Sequence, residues 1–212
     1  MDIVVAGGHG KIGQRLLRLL AARGDRARGL IRNPDQVADL EALGAEAVLC
    51  DLEARDDVAD CVEGADAIVF AAGAGPGSGP ERKRTLDLGG ALKLIDAAKA
   101  NGIARYAIVS SIGADQPERG SGSMRPYLEA KAEADQALAA SGLDFTIVRP
   151  GGLTDDPGTG RVTVAEQLDY GQVTRDDVAA VLVAVLDTPS TVGKAFVLLN
   201  GETPIDEAVR SL

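Results

Sequence analysis

The chain has 212 residues, of which 45% are hydrophobic and 3% aromatic, and its formal net charge is −10. This length corresponds to one domain, and the hydrophobic fraction is sufficient for a globular core. The negative charge, without any Lys/Arg-rich block, argues against nucleic acid or an anionic membrane as a partner. The apolar runs are too short to span a bilayer and no signal peptide is visible, so we expect a cytoplasmic protein.

Cysteine and histidine are scarce. The two cysteines are Cys50 and Cys61, and the single histidine is His9. Cys50 ends an apolar run, which favours a buried free thiol over redox or metal chemistry. The sequence therefore predicts no disulfide framework and no histidine-based metal site.

Short apolar runs alternate with helical patterns through the first 150 residues. The predicted strands cover residues 2–6, 27–31, 46–50, 66–71, 105–110 and 144–148. The predicted helices cover residues 11–23, 35–43, 54–62, 81–101 and 125–141. Runs that are apolar throughout are typical of parallel strands covered on both faces. The alternation predicts an α/β fold with a doubly wound parallel sheet of the Rossmann type.

A smaller region follows this core. Its predicted elements are a strand over 161–164, a helix over 175–187, a strand over 194–199 and a helix over 204–211. We interpret residues 1–212 as a single domain, in which residues 1–150 form the core. Residues 151–212 are then a small C-terminal region on the substrate side.

The first predicted strand leads directly into a glycine-rich stretch and a helix. The stretch is Gly7-Gly8-His9-Gly10-Lys11-Ile12-Gly13. A dinucleotide site of this kind needs one glycine at positive φ, one where the pyrophosphate approaches the backbone, and one for close helix–strand packing. The N–H groups at the helix start would bind the anion. We predict that these seven residues bind a dinucleotide; the alternative is a turn that serves packing alone.

The residue after the second strand bears on the choice of cofactor. NAD-binding proteins carry an acid near this position for the ribose 2′-hydroxyl, but this chain has Arg32. An arginine attracts a 2′-phosphate, and Lys11 adds a second cation. The sequence therefore predicts NADP, with NAD less favoured. The alternative is that Arg32 is a solvated surface charge.

The third and fourth strands end in residues that suit the remainder of the nucleotide. Asp51, followed by Leu52, is placed either to accept a bond from the adenine amino group or to cap the following helix. Small residues after the fourth strand would let the cofactor lie against the strand ends. They are Ala71, Ala72 and Gly73. Residues 73–80 are interpreted as a mobile loop over the crevice.

A candidate reactive group follows the fifth strand. Ser110 and Ser111 end this strand, and Tyr127 and Lys131 share one face of the next helix. Hydride transfer to or from a carbonyl carbon needs a proton delivered to or taken from its oxygen. A phenol's pKa of about 10 is too high for a base at neutral pH, and a nearby ammonium lowers that pKa. Ser111, with Ser110 as the second choice, would hold the substrate oxygen. The alternative is an ordinary tyrosine beside a surface lysine.

These motifs make the chain resemble the extended short-chain dehydrogenase/reductase superfamily, in an atypical single-domain form. It is similar to NmrA-like and NAD-dependent epimerase/dehydratase proteins, which also share the segment Arg149-Pro150-Gly151-Gly152-Leu153. The resemblance implies that Ser111, Tyr127 and Lys131 are catalytic. It also implies cofactor contacts for Ser110, Tyr127, Lys131, Pro150, Gly151, Gly152 and Leu153.

Two positions depart from these relatives. Asp87 stands where many carry an asparagine that serves a proton relay, which puts that relay in question. The C-terminal region is also much smaller than the substrate domain of sugar-nucleotide epimerases.

The resemblance implies an NADP-dependent oxidoreductase that acts on a small carbonyl or alcohol, as a monomer or homodimer. The alternatives are a non-catalytic NADP sensor of the NmrA-like type, an epimerase or dehydratase, and a flavin or biliverdin-type reductase.

Overall fold

The computed structural model describes residues 1–75 and 77–212; Pro76, in the predicted loop 73–80, lies outside the described residues. Its strands are β1 (Asp2–Ala6), β2 (Arg26–Ile31), β3 (Glu46–Leu49), β4 (Ala67–Phe70), β5 (Arg105–Val109), β6 (Asp144–Pro150), β7 (Gly152–Thr154), β8 (Arg161–Ala165), β9 (Gln172–Thr174), β10 (Lys194–Asn200) and β11 (Thr203–Pro204). Its helices are α1 (Lys11–Ala22), α2 (Val37–Glu41), α3 (Pro80–Arg82), α4 (Gly89–Ala100), α5 (Met124–Ala139), α6 (Arg175–Asp187) and α7 (Ile205–Arg210). A π-helical segment, Lys83–Leu88, joins α3 to α4.

The described strands form one nine-stranded sheet in the order β11-β8-β10-β6-β5-β4-β1-β2-β3, and β7 pairs with β9 separately. Strands β1 to β6 and β10 are parallel, whereas β8 runs antiparallel to β10 and β11 antiparallel to β8. This arrangement confirms the predicted α/β fold. The chain order reverses at β1, which lies between β2 and β4, and such a switch point leaves a crevice at the carboxyl ends of the strands.

Both faces of the sheet are covered, as the continuous apolar strands predict. In β1, Ile3 and Val5 belong to the core cluster that includes side chains of α1, α6 and α7, whereas Val4 belongs to the cluster on the opposite face, with side chains of α4 and α5. Because successive side chains of a strand point to opposite faces, every residue of such a strand is buried. No helix in the described ranges is long and apolar enough to cross a membrane.

The helix predicted over 54–62 is wrong. The structure has only a 3-10 turn there, Ala59–Val62. Asp51 Oδ1 accepts hydrogen bonds from the amides of Glu53 (2.9 Å) and Ala54 (3.2 Å), and this cap closes a single turn that does not continue. The other predicted helices and strands are confirmed with shifted ends, and the sequence did not predict the short strands β7, β9 and β11.

The prediction of free thiols is also wrong, because Cys50 and Cys61 form a disulfide with a Cα–Cα distance of 6.2 Å. Both residues are buried. Cys50 follows β3 and Cys61 lies in the 3-10 turn, so the bond closes the irregular segment that replaces the predicted helix. The spacing of 11 residues between the two cysteines did not indicate this pairing, because the sequence predicted a regular helix over 54–62 that begins after Cys50 and includes Cys61.

Opening this disulfide should lower the free energy of unfolding by about 2–3 kcal/mol, because the bond restricts the unfolded chain. Urea denaturation of the wild-type protein with and without a dithiol reductant measures the effect. The Cys50→Ala/Cys61→Ala variant should show the lower stability in both conditions. An unchanged midpoint after both thiols have been titrated as free would contradict a stabilising role.

Candidate functional site

A cleft of about 860 Å³ opens at the carboxyl ends of β1, β2, β4 and β5. The start of α1 forms its floor, and the π-helical segment and α5 form one wall. This is the crevice that the strand order predicts, and its volume is within the range of ligand sites.

The glycine-rich stretch brings α1 very close to β1 and β4. Gly7 has φ +79°, and a Cβ there would lie 2.7 Å from Ala72 Cα. A Cβ on Gly13 would overlap the carbonyl oxygen of Gly7, so the helix can pack here only without a side chain. Gly8 likewise lies against the backbone of Gly29. Gly8 and Gly13 are thus packed against backbone and are not among the described lining residues. Their predicted contacts with a dinucleotide stay predictions.

The start of α1 is suited to bind an anion. Gly10 is its N-cap and offers no side-chain cap, and the first turn carries no acidic residue in the described helix. Gly7, His9, Gly10, Lys11 and Ile12 line the cleft. Helix N–H groups aimed at such a space attract phosphate.

The two ionisable side chains of this stretch already have partners. His9 Nε2 lies 2.8 Å from Asp39 Oδ2, and Lys11 Nζ lies 2.5 Å from Asp155 Oδ2. Lys11 is therefore engaged by the C-terminal region. Its predicted contribution beside Arg32 stays a prediction.

Arg32 lies at the β2 end of the cleft with a side chain that is 56% exposed. Its Nη1 atom is 3.3 Å from Glu53 Oε2. The same oxygen accepts hydrogen bonds from Arg82 Nε (3.1 Å) and Nη2 (3.0 Å), and Thr85 donates to the other oxygen. Partial burial opposes ionisation of Glu53, but the bonds from Arg82 and Thr85 hold its pKa below the usual value.

The residues after β3 and β4 line the middle of the cleft. They are Asp51, Leu52, Ala71, Ala72 and Gly73. The Asp51 carboxylate caps the turn that follows it, which is the second of the two roles that the sequence allowed for this residue. Its bond to adenine stays a prediction.

Ser110, Tyr127 and Lys131 line the β5 end of the cleft. Lys131 Nζ is 3.1 Å from the carbonyl oxygen of Val109 and 5.9 Å from the centre of the Tyr127 ring. A second ammonium, Lys83 Nζ, is 5.1 Å from the same ring centre. Tyr127 therefore has two cations beside its ring, of which the sequence predicted one.

Asp87 lies behind this pair and is fully buried. Its Oδ2 atom accepts a hydrogen bond from the amide of Ala74 (3.0 Å), and its Oδ1 atom lies 3.4 Å from Lys131 Nζ. Within the described chain, Oδ1 accepts no hydrogen bond. Asp87 is thus the counter-ion of Lys131 and also anchors the start of the loop after β4. Its correspondence to the asparagine of similar proteins stays a prediction.

The two serines have different surroundings. Ser110 Oγ donates to Asp135 Oδ2 (2.9 Å), which Arg149 Nε also contacts at 3.0 Å. Burial raises the pKa of the Asp135 carboxyl, and the Arg149 charge opposes this. Ser111 Oγ donates to the carbonyl of Ile112 (3.2 Å), and Ser111 is not among the described lining residues. The catalytic role of Ser111 stays a prediction.

The segment after β6 contributes less to the cleft than the resemblance implies. Leu153 lines it, whereas Pro150, Gly151 and Gly152 are not among the described lining residues. Gly151 packs against the backbone of Gly171. The nicotinamide contacts of Pro150, Gly151 and Gly152 stay predictions.

Several lining residues belong to no motif of the sequence: Gln36, Glu53, Arg82, Lys83, Met124 and Arg175. Arg82 ends α3, and Arg175 begins α6 and pairs with Asp155 at 3.0 Å. These residues reach the cleft through the fold, and no local pattern indicated them.

The residues of the cleft fit a dinucleotide. The floor offers glycine backbone and an uncapped helix start for a pyrophosphate. Arg32 follows β2 and Ser110 follows β5, three strand spacings apart in the sheet. This separation is about 14 Å, so the cleft is elongated as an extended dinucleotide requires.

Comparison with known proteins agrees with this geometry. A Bacillus subtilis protein named as an uncharacterized sugar epimerase, YhfK, is 44% identical over the full length of both chains. The structure of a putative NAD-dependent epimerase/dehydratase from Bacillus halodurans matches with a TM-score of 0.96 and 41% identity, covering all of both chains. The oxidoreductase ylbE from Lactococcus lactis matches with a TM-score of 0.89 and 31% identity, covering 100% of this chain and 96% of its own. Residues 7–189 match the profile described as NAD(P)H-binding, and the chain belongs to this family of Rossmann-like proteins.

Proposed function

We propose that the protein is an NADP-dependent oxidoreductase that transfers hydride between the nicotinamide and a small carbonyl or alcohol substrate. The observation that carries this proposal is the position of Tyr127 and Lys131 at the β5 end of the cleft, where Lys131 Nζ is 3.1 Å from the carbonyl oxygen of Val109. In the sheet, β5 lies three strand spacings from β2, the strand that Arg32 follows. A dinucleotide whose 2′-phosphate lies at Arg32 would then extend toward the phenol. The family supports the use of NAD(P)H, and the name of the Lactococcus lactis protein supports an oxidoreductase.

In this proposal the bound nicotinamide supplies or accepts the hydride. Tyr127 donates its hydroxyl proton to the carbonyl oxygen during reduction and takes it back during oxidation. Lys131 holds positive charge close to the phenol, and its burial strengthens that interaction. Ser110 or Ser111 orients the substrate oxygen.

The C-terminal region favours a small substrate over a sugar nucleotide. Strands β8, β10 and β11 extend the main sheet, and α6 packs beside α1. These elements complete the core and do not form a separate substrate domain. The cleft must also hold the dinucleotide within its volume of about 860 Å³. We therefore propose an oxidoreductase although two similar proteins carry epimerase names.

A second candidate is the reduction of a planar conjugated substrate, such as a flavin or a tetrapyrrole. Met124 and Leu153 are 49% and 37% exposed, and both line the cleft. Exposed apolar side chains at the reactive end suit a flat apolar ring system. Direct hydride transfer to such a ring does not require Tyr127, which separates this candidate from the first.

Tyr127→Phe should lower turnover of a carbonyl substrate by about a hundredfold or more, because it removes the proton donor. The Kd for NADPH should stay within a few-fold of wild type. Steady-state kinetics with a panel of small aldehydes and ketones, and NADPH titration by fluorescence, measure both quantities.

Tyr170→Phe is the matched control, because Tyr170 is 77% exposed and is not among the described lining residues. Unchanged carbonyl reduction in Tyr127→Phe would exclude the acid/base role. Flavin reduction that survives this substitution would favour the second candidate.

Arg32→Asp should weaken binding of NADPH about tenfold or more, since it replaces the cation at the 2′-phosphate by a repelling charge. Binding of NADH should change far less. Calorimetric titration of both nucleotides measures the difference, with Arg18→Asp as control because Arg18 is exposed on α1 outside the described lining. Equal losses for both nucleotides would refute the role of Arg32.

Asp87→Asn should lower the free energy of unfolding by about 3 kcal/mol, because it leaves the Lys131 ammonium buried without its counter-ion. The asparagine can still accept the hydrogen bond from Ala74. The Asp87→Asn/Lys131→Met variant should be more stable than the sum of the two single effects predicts. Additive effects in urea denaturation would show that the two charges do not interact.

A further inference from the structure

We propose that Arg82 is a second ligand of the cofactor's 2′-phosphate, and that Arg32, Arg82 and Glu53 form one preassembled anion site. This inference rests on the proposed use of NADP. It adds a specificity-determining residue that lies outside both the glycine-rich stretch and the segment after β2 that contains Arg32.

The two guanidinium groups meet at a single point. Glu53 Oε2 is 3.3 Å from Arg32 Nη1, and 3.1 and 3.0 Å from Arg82 Nε and Nη2. One anionic oxygen is thus held by two arginines that come from two separate chain segments, the residue after β2 and the end of α3. A phosphate oxygen has the same demand for charged N–H donors, so both arginines can reach one phosphate group.

Further donors remain on both side chains. In the described part of the chain, Arg32 and Arg82 make three side-chain hydrogen bonds, all of them to Glu53. A guanidinium has five N–H donors in a planar fork. Their side chains are 56% and 36% exposed, and both residues line the cleft. A phosphate can therefore bind beside Glu53 without first breaking the cluster.

The cluster is held by its surroundings. Glu53 lies in the turn that Asp51 caps, and Thr85 donates to Glu53 Oε1 at 2.8 Å. Thr85 and Arg82 belong to one continuous helical stretch, so Glu53 fixes the position of the arginine relative to the cleft. Asp51 Oδ1 accepts hydrogen bonds from the backbone amides of Glu53 and Ala54, which stabilises the turn that contains Glu53. The three clustered side chains carry a net charge of +1, which favours the anionic 2′-phosphate of NADP over the neutral 2′-hydroxyl of NAD.

Arg84 provides a matched control two residues away. It lies in the π-helical segment that directly follows α3, pairs with Glu133 at 3.4 Å, and is not among the described lining residues. Arg82→Gln and Arg84→Gln remove the same charge from one continuous helical stretch. Only the first removes a cation from the cleft.

The test is the affinity of the full-length protein for NADPH, NADH, adenosine 2′,5′-bisphosphate and adenosine 5′-monophosphate, measured by calorimetry. The last two probes isolate the adenosine end from the nicotinamide. We expect Arg82→Gln to raise the Kd for NADPH and for the bisphosphate about tenfold or more. The Kd values for NADH and the monophosphate should change less than about threefold, and Arg84→Gln should resemble wild type throughout.

Arg82→Lys keeps the charge but loses the planar fork, and it should fall between wild type and Arg82→Gln. Thermal melting of each variant confirms folding. If the wild type prefers NADPH but Arg82→Gln and Arg84→Gln bind it equally well, the role of Arg82 is wrong and the proposed cofactor stands. If the wild type binds the bisphosphate no better than the monophosphate, both the cofactor preference and this inference are overturned.

Discussion

The site depends on one backbone contact, in which the start of α1 lies directly on the carbonyl of Gly7. A Cβ on Gly13 would overlap that oxygen, and a Cβ on Gly7 would collide with Ala72. The contact brings together the end of β1, the start of α1 and the residues after β4, at the point where the strand order reverses. It also directs the uncapped N–H groups of α1 into the cleft. Without it the helix would withdraw from the strand ends, and the anion-binding floor would be lost.

At the β5 end of the cleft, the charged groups near Tyr127 are Asp87, Lys131 and Lys83. Asp87 and Lys131 form a pair that is almost inaccessible to water. Lys83 is half-buried, and its ammonium both approaches the Tyr127 ring and donates a hydrogen bond to the carbonyl of Gly75. Two ammonium groups therefore stand beside the phenol, and that of Lys131 is the one paired with the Asp87 carboxylate.

Much of the fold follows from local pattern, because apolar runs and glycine turns report burial and backbone geometry directly. The cleft, its glycine floor and the Tyr127–Lys131 pair were predictable for this reason. The cluster around Glu53 was not, since Glu53 and Arg82 are 29 residues apart and meet only through the fold. The Cys50–Cys61 disulfide escaped prediction because an irregular turn replaces the expected helix. Partners distant in sequence, and departures from regular structure, carry no periodic signal.

The stretch from Pro80 to Ala100 is continuous helix with a π-helical segment at its start. Three side chains near the start of this stretch reach different partners: Arg82 contacts Glu53, Lys83 contacts the carbonyl of Gly75, and Asp87 contacts Lys131. Gaining or losing a single residue between them would therefore displace all three contacts relative to one another. The Glu53 cluster at one end of the cleft and the Tyr127–Lys131 pair at the other are positioned by the same piece of backbone.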